Sequence, residues 1–568
     1  MRKSQKPQVN VSLRIAIVMA FLLCFFFVVV VRAFSMQVQS SDFYQNQADK
    51  RHVREVEIPV SRGAIYDRNE EPLALSSPME SVGINPAKLL NQFSKVDQLA
   101  EVLDLNADKL KQIITSHKDK YFLYVKRRIT PAVADSVRAL DVDGVSFRTE
   151  FKRFYPTGEV FGNVVGFTNI DDQGQEGLEQ TYDQWLTGIS GKKTVVKDLL
   201  GQVVSDIDVD EIQAAIPGKD LHLSIDKRLQ NAAYYELKKA VAIHQADSGS
   251  AVAMNVKTGE VLAMVNRPSL NPNGDKSNTE GLRNRAVTDI YEPGSVIKPF
   301  AVVAALESGQ YTADSIIDTA PGVFELDGYT IHDFRDYGEL NLVDMLVKSS
   351  NVGMAKLVLG LGKEHLWDVY QRFGFGQKTG VGFVGESAGY LPHHERWRTS
   401  DHAAISRGYN LSVTTLQLAS AYAVFANQGR YRAPSLIKGS VNEDKAVMDP
   451  KVASQMVDML RHVVADNSNH RASIPNYSVA GKTGTAKIAE KGGYSDNYIA
   501  SFVGFAPASN PELVVAVSVT NPKGEEYYGG QVAAPVFAEI MKAGLRFLNV
   551  PGDKVELAME DGVEADNE

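Results

Sequence analysis

The stretch Tyr-Glu-Pro-Gly-Ser-Val-Ile-Lys-Pro-Phe, residues 291–300, carries the pattern from which the rest of the chain can be interpreted. Its Pro-Gly pair predicts a turn, and the apolar run at 302–306 predicts that a helix follows. Ser295 then falls at a helix N-terminus, where unpaired backbone N–H groups and the helix dipole favour developing negative charge. Lys298 lies one helical turn later on the same face, within reach of the Ser295 hydroxyl.

A serine hydroxyl is a weak nucleophile until a neighbouring base removes its proton. An unprotonated lysine can be that base when burial and a second cation lower its pKa. We therefore predict Ser295 as a nucleophile and Lys298 as its base. The alternative is an N-cap serine beside an ordinary surface lysine. That alternative suits the other Ser-x-x-Lys sequences, which lack the turn and the apolar helix and begin at Ser190, Ser224 and Ser435.

A second candidate segment is Lys482-Thr483-Gly484-Thr485, inside the strand-like sequence SVAGKTGTAKIA. Its glycines allow another backbone to approach the strand closely. An extended peptide could pair with such an edge while Lys482 attracts a carboxylate. Lys-Thr-Gly also begins at Lys257 and Lys378, where the surrounding residues indicate turns.

The third candidate segment is Ser349-Ser350-Asn351, which lies between the helical patterns NLVDMLVK and VGMAKLVL. Side chains at such a junction can point into a cleft. Ser495-Asp496-Asn497 has a similar sequence, but we interpret it as a coincidence in a polar loop.

Composition excludes several classes of protein. The 568 residues carry 60 basic and 69 acidic side chains, for a net charge of −9, which argues against nucleic-acid binding as the main task. Cys24 is the single cysteine, so neither an intramolecular disulfide nor a Cys-rich zinc site is possible. We expect no metal and no cofactor, which leaves nucleophilic or acid–base catalysis.

The N-terminus predicts a membrane anchor. Residues 15–31 form an unbroken apolar run between Arg14 and Arg32, at the short end of what a membrane-spanning helix needs. Arg2, Lys3, Lys6 and Arg14 lie upstream of the run and the first acid is Asp42, so the positive-inside rule keeps the N-terminus in the cytoplasm. We predict a cytoplasmic tail at 1–14, an anchor at 15–33 and the remainder across the membrane. A cleaved signal peptide is the alternative.

The rest of the chain predicts an α+β multidomain protein. A turn at Pro217-Gly218 separates a mixed α/β module, 45–220, from a larger domain, 221–550. In the larger domain a β-hairpin is expected at 249–256 and 261–266, and further strands at 478–488, 499–505 and 513–520. Helical patterns lie between them, around 296–308, 341–360, 413–427 and 451–464. Strands at both ends with helices between imply a sheet closed by the C-terminal strands. Residues 551–568 form an acidic tail that we expect to be disordered.

The ordered set Ser295/Lys298, Ser349/Asn351 and Lys482/Thr483/Gly484 resembles a class B penicillin-binding protein. Other segments resemble the same family, namely residues 62–69 (RGAIYDRN), 174–179 (GQEGLE), 284–287 (NRAV), 528–530 (YGG) and 534–537 (APVF). Two residues depart from its pattern, because Glu70 and Asn410 stand where glycine is expected. The resemblance implies an N-terminal pedestal of the dimerisation type and a C-terminal transpeptidase domain, with an antiparallel sheet flanked by helices.

The resemblance also implies the reaction. Ser295 would form an acyl-enzyme with a peptidoglycan stem peptide ending in D-Ala-D-Ala, and β-lactams would acylate the same serine. Ser349 would relay a proton, Asn351 would orient the substrate amide and Lys298, and Lys482 would hold the substrate carboxylate.

Substrate would also contact Thr483 and Gly484, while the backbone N–H groups of Ser295 and Thr485 would form the oxyanion hole. No Glu-x-x-Leu-Asn sequence is present to supply the deacylating glutamate of a class A β-lactamase.

Within this family, Ser-Ser-Asn, the run Lys-Thr-Gly-Thr-Ala-Lys and the single anchor are similar to the septal, FtsI-like type (penicillin-binding protein 3). Its implied location is the bacterial inner membrane with the catalytic domain in the periplasm. Its implied partners are a lipid-linked glycan polymerase and other division proteins. The alternatives are an elongation-type transpeptidase, a D,D-carboxypeptidase, or a non-enzymatic division scaffold or β-lactam sensor.

Overall fold

The computed structural model describes residues 11–39, 43, 53–197, 203–205, 211–275, 279–440, 442, 444–465, 471–490 and 492–554. The chain forms two compact units, one of Met1–Val60 with Gly188–Pro217 and the other of Ser61–Thr187 with Gly218–Glu568. Most of the predicted cytoplasmic tail and of the predicted acidic tail lies outside the described residues.

The first unit contains a long apolar helix and a small antiparallel sheet. The helix, Val11–Phe34, has 24 residues, and its length and composition are sufficient to cross a membrane. In the sheet, the strand Gly191–Lys197 pairs with its three neighbours, Val53–Ile58, Val203–Ser205 and Glu211–Gln213. The N-terminal helix therefore fits a single-pass membrane anchor.

Within the second unit, residues 61–187 are organised around one long strand, Pro72–Ile84. This strand pairs antiparallel with Val145–Phe154 along most of its length and with Leu123–Ile129 near its end. Four helices share a buried apolar cluster with these strands, Pro86–Leu89, Phe93–Val102, Ala107–Ser116 and Pro131–Ala139. The shorter elements are Ile65–Tyr66, Gly162–Val165, Phe167–Thr168, Gly174–Glu176, Gly177–Thr181, Asp183–Leu186 and Leu221–His222.

A buried ion-pair network joins the two N-terminal motifs. Glu179 accepts a hydrogen bond from Arg62 Nε at 2.6 Å and another from Arg153 Nε at 2.6 Å, with all three side chains almost fully buried. Because a buried charge without its partner is strongly destabilising, these residues depend on one another. The network gives the sequences RGAIYDRN and GQEGLE a structural reason to occur together.

The C-terminal part of the second unit is built on a five-stranded antiparallel sheet, which confirms the predicted α+β architecture. The strands follow the order Val261–Arg267, Ser248–Asn255, Leu513–Thr520, Gly493–Ala506 and Ala480–Glu490. The predicted hairpin is present between the first two of these strands. The strand Ala480–Glu490 forms one edge of the sheet, so one side of its backbone is unpaired within the sheet.

Helices cover both faces of this sheet. The strand Leu513–Thr520 is buried along seven consecutive residues, and alternate side chains of a strand point to opposite faces. Helices Thr415–Ala426 and Gly529–Phe547 both contact this strand. The other helices are Lys227–Ile243, Arg285–Thr288, Lys298–Glu307, Leu342–Lys348, Asn351–Leu359, Lys363–Arg372, Thr399–Ile405 and Pro450–Ala465. This part also contains three pairs of short antiparallel strands, Ile317–Asp318 with Glu339–Leu340, Val323–Leu326 with Tyr329–His332, and Arg430–Arg432 with Asp444–Ala446.

The two helical patterns predicted on either side of Ser349 form the helices Leu342–Lys348 and Asn351–Leu359, and Ser349 between them adopts a left-handed conformation with φ 56°. One predicted local structure differs from the observed one. Ser495-Asp496-Asn497 lies in the strand Gly493–Ala506 rather than in a loop, so that expectation was wrong. The residues on either side of it, Tyr494 and Tyr498, pair with the end of the edge strand.

The two departures from the family pattern, Glu70 and Asn410, have positive φ values of 65° and 61°. Glycine occupies this left-handed region without steric cost, whereas other residues reach it with strain. The turns expected to contain glycine are therefore formed in this chain by residues with side chains. Asn410 is among the residue types that tolerate the conformation best.

The close approach between the edge strand and the turn at 293–296 requires glycine at position 484. A Cβ atom there would lie 2.5 Å from Ser501 Oγ and 2.9 Å from Pro293 O. We expect Gly484→Ala to lower the free energy of unfolding by about 1–3 kcal/mol, as overpacking of a core does. The measurement is thermal unfolding of the detergent-solubilised chain, with Gly362→Ala as control because no atom lies within 4 Å of a Cβ at that position. Equal midpoints for Gly484→Ala and Gly362→Ala would show that the approach is looser than described.

Candidate active site

The turn before Ser295 is held in place by a backbone contact with a second turn. Gly294 has φ +59°, and its N–H donates to Gly408 O at 3.1 Å. A Cβ on Gly408 would lie 2.1 Å from Gly294 O, so only glycine permits this approach. Residues Gly294–Ile297 form a 3-10 turn that continues into the helix Lys298–Glu307, and the buried Tyr422 hydroxyl donates to Val296 O at 2.6 Å. Ser295 is thus partly exposed on a rigid support at a helix start, as predicted.

The Lys298 amine is fully buried and directed at the Ser349 turn. Its Nζ lies 2.6 Å from Ser349 O, 3.2 Å from Ser349 Oγ and 2.9 Å from Asn351 Oδ1. Burial lowers the Lys298 pKa well below its ordinary value, and the positive charges of Lys482 and Arg407 lower it further. The protonated form of the amine that the sequence predicts as a base is therefore disfavoured.

Lys482 lies on the other side of the Ser349 hydroxyl. Its Nζ is 3.1 Å from Ser349 Oγ, and burial lowers the pKa of Lys482 to about 8. A hydroxyl has one hydrogen to donate and can accept from a protonated amine. Ser349 can therefore accept from protonated Lys482 while donating to neutral Lys298, which is a continuous path for a proton.

The position of Ser349 depends on an interrupted helix. Its left-handed conformation ends the helix Leu342–Lys348, and Ser350 caps the next helix by accepting from Gly353 N at 2.8 Å. This geometry turns both the carbonyl and the hydroxyl of Ser349 toward Lys298. The third residue of the motif, Asn351, begins the second helix. Its side-chain oxygen Oδ1 accepts from the Lys298 amine.

The edge strand passes directly beside the turn that carries the serine. A Cβ built on Gly294 would lie 3.3 Å from Thr485 O and 3.2 Å from the Cβ of Ala486. Thr483 and Gly484 precede this contact on the same strand, and the Thr485 hydroxyl accepts from Gly529 N at 2.9 Å. The structure thus brings Lys298, Ser349, Asn351 and Lys482 together from three distant segments, and it places the turn that carries Ser295 beside the edge strand.

The other copies of the motifs lie elsewhere and have structural explanations. The Ser224 hydroxyl is buried and donates to Val261 O at 2.7 Å, and the Ser495 hydroxyl donates to Ile488 O at 3.1 Å. Lys257 lies in the turn of the predicted hairpin, where it forms an ion pair with Glu512. None of these three residues is bonded to the Ser349 turn.

Three residues that were not predicted also contribute to the site. Tyr422 supports the serine turn, Arg407 adds positive charge near Lys298, and Asp333 accepts hydrogen bonds from the start of the helix Asn351–Leu359. Arg407 immediately precedes the turn at 408–410, where Asn410 departs from the family pattern, so its neighbourhood was recognisable. Nothing in the sequence around Asp333 indicated that it contacts the start of the helix Asn351–Leu359. Within the described ranges, no group of three His, Cys, Asp or Glu residues is arranged to hold a metal ion.

Two family profiles match this chain. The family profile described as the penicillin binding protein transpeptidase domain matches residues 249–542. A second profile, the penicillin-binding protein dimerisation domain, matches residues 57–223. Together they span both the segment that holds the Glu179 network and the segment that holds Ser295.

Individual relatives are similar over nearly the full length. The probable peptidoglycan D,D-transpeptidase PbpC of Pseudomonas aeruginosa is 43% identical over 525 residues, covering 92% of this chain and 93% of that protein. The peptidoglycan D,D-transpeptidase FtsI of Escherichia coli strain K12 is 39% identical over 581 residues, covering 99% and 98%. The crystal structure of penicillin-binding protein 3 from Mycobacterium tuberculosis, complexed with aztreonam, has a TM-score of 0.68 and 29% identity, covering 88% of this chain and 98% of that one.

The charge of Arg407 provides a test of the electrostatics around Lys298. If neutral Lys298 is the base, acylation of the protein by a penicillin speeds up as pH rises through the Lys298 pKa. Arg407→Gln removes a positive charge, so the Lys298 pKa should rise and the acidic limb of the acylation profile should move to higher pH by about 0.5–1 unit. The measurement is the second-order rate of labelling by a fluorescent penicillin across pH.

The matched control for this experiment is Arg396→Gln, which removes the same charge from an exposed position. The control should leave the acidic limb where the unmodified chain has it. A limb that is also unmoved in Arg407→Gln, or that moves to lower pH, would contradict the described electrostatics.

Proposed function

This chain belongs to the class B penicillin-binding proteins, and from that membership we infer that it is a serine-type peptidoglycan D,D-transpeptidase. The observation that carries the inference is the buried Lys298 amine, bonded to Ser349 and Asn351 and flanked by Lys482. The substrate is a peptidoglycan stem peptide, and β-lactams bind the same domain.

We propose an acylation step in which Lys298 Nζ takes the proton of the Ser295 hydroxyl. Ser295 Oγ then bonds to the carbonyl carbon of the penultimate D-Ala, and the carbonyl oxygen becomes an oxyanion. Backbone N–H groups of Ser295 and Thr485 stabilise that charge, and in a related acyl-transfer site one such donor is worth about 2.7–4 kcal/mol. The helix start at Ser295 and the unpaired strand edge at Thr485 support this assignment.

The oxyanion then collapses and the amide C–N bond breaks. The nitrogen of the departing D-Ala takes a proton that passes from Lys298 through the Ser349 hydroxyl, the path supported by the 3.2 Å contact. Lys482 holds the terminal carboxylate of the substrate, with Thr483 and Gly484 beside the bound peptide. A carboxylate near Lys482 also favours its protonated form, which keeps Lys298 neutral.

The acyl-enzyme is resolved by an amine of a neighbouring stem peptide. That amine bonds to the ester carbonyl carbon, loses a proton to the Lys298–Ser349 path, and expels Ser295 Oγ, which regains its hydrogen. A β-lactam opens on the same serine, and its ring-opened acyl group stays attached because no deacylating glutamate is supplied. Water in place of the amine would give the carboxypeptidase reaction with the same residues.

The septal subtype is favoured over the elongation subtype. The elongation-type relative typically carries aspartate at the position of Asn351. Here the Asn351 amide donates to His332 O at 2.9 Å while its oxygen accepts from Lys298, which an aspartate could not do in both directions. The similarity to FtsI over nearly the full chain supports the same subtype. The intact site argues against a purely structural scaffold or a sensor.

We propose that the helix Val11–Phe34 crosses the inner membrane once, with the N-terminus in the cytoplasm and the catalytic domain in the periplasm. The basic residues before the helix support this orientation through the positive-inside rule. As partners we propose a lipid-linked glycan polymerase and other division proteins, since cross-linking requires newly made glycan. The domains we propose are those expected from the sequence, 45–220 and 221–550.

The nucleophile can be tested by intact-mass measurement after exposure of the full chain to penicillin. We expect the unmodified chain to gain the mass of one ring-opened penicillin and Ser295→Ala to gain none, because the acyl-forming oxygen is missing. The matched control is Ser190→Ala, in which another Ser-x-x-Lys serine is removed and the adduct should remain. A retained adduct on Ser295→Ala would identify a different nucleophile and overturn the proposed mechanism.

A further inference from the structure

The stretch 408–413 runs beside the segment 291–294, which leads directly into Ser295. Tyr291 and Val413 exchange two backbone hydrogen bonds, of 3.0 and 2.9 Å. A pair of bonds of this kind is the unit that joins antiparallel strands, so it aligns the two stretches along their length. The approach to the nucleophile is therefore set by a part of the chain that is distant in sequence.

Two further bonds join the same stretches closer to the serine. The backbone N–H of Asn410 donates to Glu292 Oε1 at 2.8 Å. The N–H of Gly294 donates to Gly408 O at 3.1 Å. The position of the turn that carries Ser295 consequently depends on the position of residues 408–410.

The side chain of Asn410 attaches this stretch to the helix Thr399–Ile405. Asn410 Nδ2 donates to Asp401 Oδ1 at 3.0 Å. The other carboxylate oxygen of Asp401 accepts from the Arg398 N–H at 2.9 Å and from Arg398 Nε at 3.1 Å. Glycine, which was expected at 410, would adopt the observed φ of 61° without strain but has no side chain to form this link.

The other attachment to the same helix lies at its end. The N–H of Gly408 donates to Ile405 O and the N–H of Tyr409 donates to Ala404 O, both at 3.1 Å. These bonds hold the beginning of the stretch, whereas the Asn410 side chain holds it to a residue near the start of the helix. Two separate attachments determine the direction in which the stretch leaves the helix, which one alone would leave less restricted.

We propose that Asn410 is a positioning residue for acylation, whose side-chain bond to Asp401 fixes the stretch 408–413 and, through it, the serine turn. The inference rests on the proposed function, in which Ser295 Oγ attacks the substrate and the Ser295 N–H stabilises the oxyanion. Asn410 acts through backbone bonds, without contact to the reacting atoms. A small displacement of a nucleophile is enough to slow a reaction strongly, even when the cause is distant.

The first variant is Asn410→Gly in the full chain, with labelling by a fluorescent penicillin followed as its concentration is raised. The limiting rate reports the acylation step, and the half-saturating concentration reports binding. We expect the limiting rate to fall about threefold to tenfold, as for loss of one partly exposed hydrogen bond to a charged group, with the half-saturating concentration unchanged. The thermal unfolding midpoint should not fall in parallel, because glycine relieves the left-handed strain.

The matched control is Asn549→Gly, which makes the same change at another asparagine of positive φ, 54°. Asn549 follows the helix Gly529–Phe547, and its replacement should leave the limiting rate unchanged. An equal fall of the rate in Asn549→Gly and Asn410→Gly would mean that the backbone change alone is responsible, which contradicts the proposal.

An exchange of the two bonded residues tests the link itself. Asn410→Asp removes the donor and sets two carboxylates against each other, so its limiting rate should fall at least as far as that of Asn410→Gly. Adding Asp401→Asn to Asn410→Asp restores one amide donor and one carboxylate to the pair. This exchange should recover the limiting rate to within about twofold of the unmodified chain, because one donor again faces one acceptor.

An Asn410→Gly chain that labels like the unmodified chain would overturn the proposal. A raised half-saturating concentration at an unchanged limiting rate would also overturn it, since that result indicates contact with the ligand. An exchange variant no faster than Asn410→Asp alone contradicts the link, and this comparison decides if Asn410→Gly does not fold. Failure of the unmodified chain to label at Ser295 would instead overturn the proposed function.

Discussion

The burial of one amine, Lys298 Nζ, is the constraint on which the rest of the site depends. An ammonium group removed from water is strongly disfavoured unless it is paired, and among the residues that the structure describes no carboxylate is bonded to this one. The nearest bonded groups are a carbonyl, a hydroxyl and an amide oxygen, and two further positive charges lie nearby. The site therefore favours a neutral lysine, which is the form that can take a proton from serine.

The fold makes this arrangement possible by bringing three distant segments together. The serine turn packs against Gly408 and against Gly484 of the edge strand. A Cβ atom at either position would collide with the backbone of the turn. The helix break at Ser349 turns a carbonyl and a hydroxyl toward the amine, and the strand end at His332 and Asp333 holds that break in position. The edge strand supplies Lys482 on the far side. Each element is held by its own local contacts, which give the polar atoms their relative positions in the structure without substrate.

Sequence reasoning succeeded where the information is local. A turn followed by an apolar helix singled out Ser295 among several Ser-x-x-Lys sequences, and apolar, strand-like runs predicted the strands of the main sheet. It failed where tertiary contacts decide the outcome. Asp333 and Arg407 affect Lys298 through space, and Ser495 lies in a strand because the residues around it, Tyr494 and Tyr498, pair with the edge strand. Positions 70 and 410, where glycine was expected, are a third case. The backbone there keeps the left-handed turn although the residues are Glu70 and Asn410.

The protonation state of Lys298 can be observed directly. In full chain carrying ¹³C-labelled lysine, the Cε chemical shift of Lys298, assigned by its absence in Lys298→Met, reports the charge of the amine as pH is varied. The account predicts that this amine becomes neutral well below the ordinary lysine pKa of 10.5 and that Lys482 titrates separately, near its lowered pKa of about 8. A Lys298 signal that remains in its charged form up to the ordinary value would contradict the account, because a protonated lysine cannot activate Ser295.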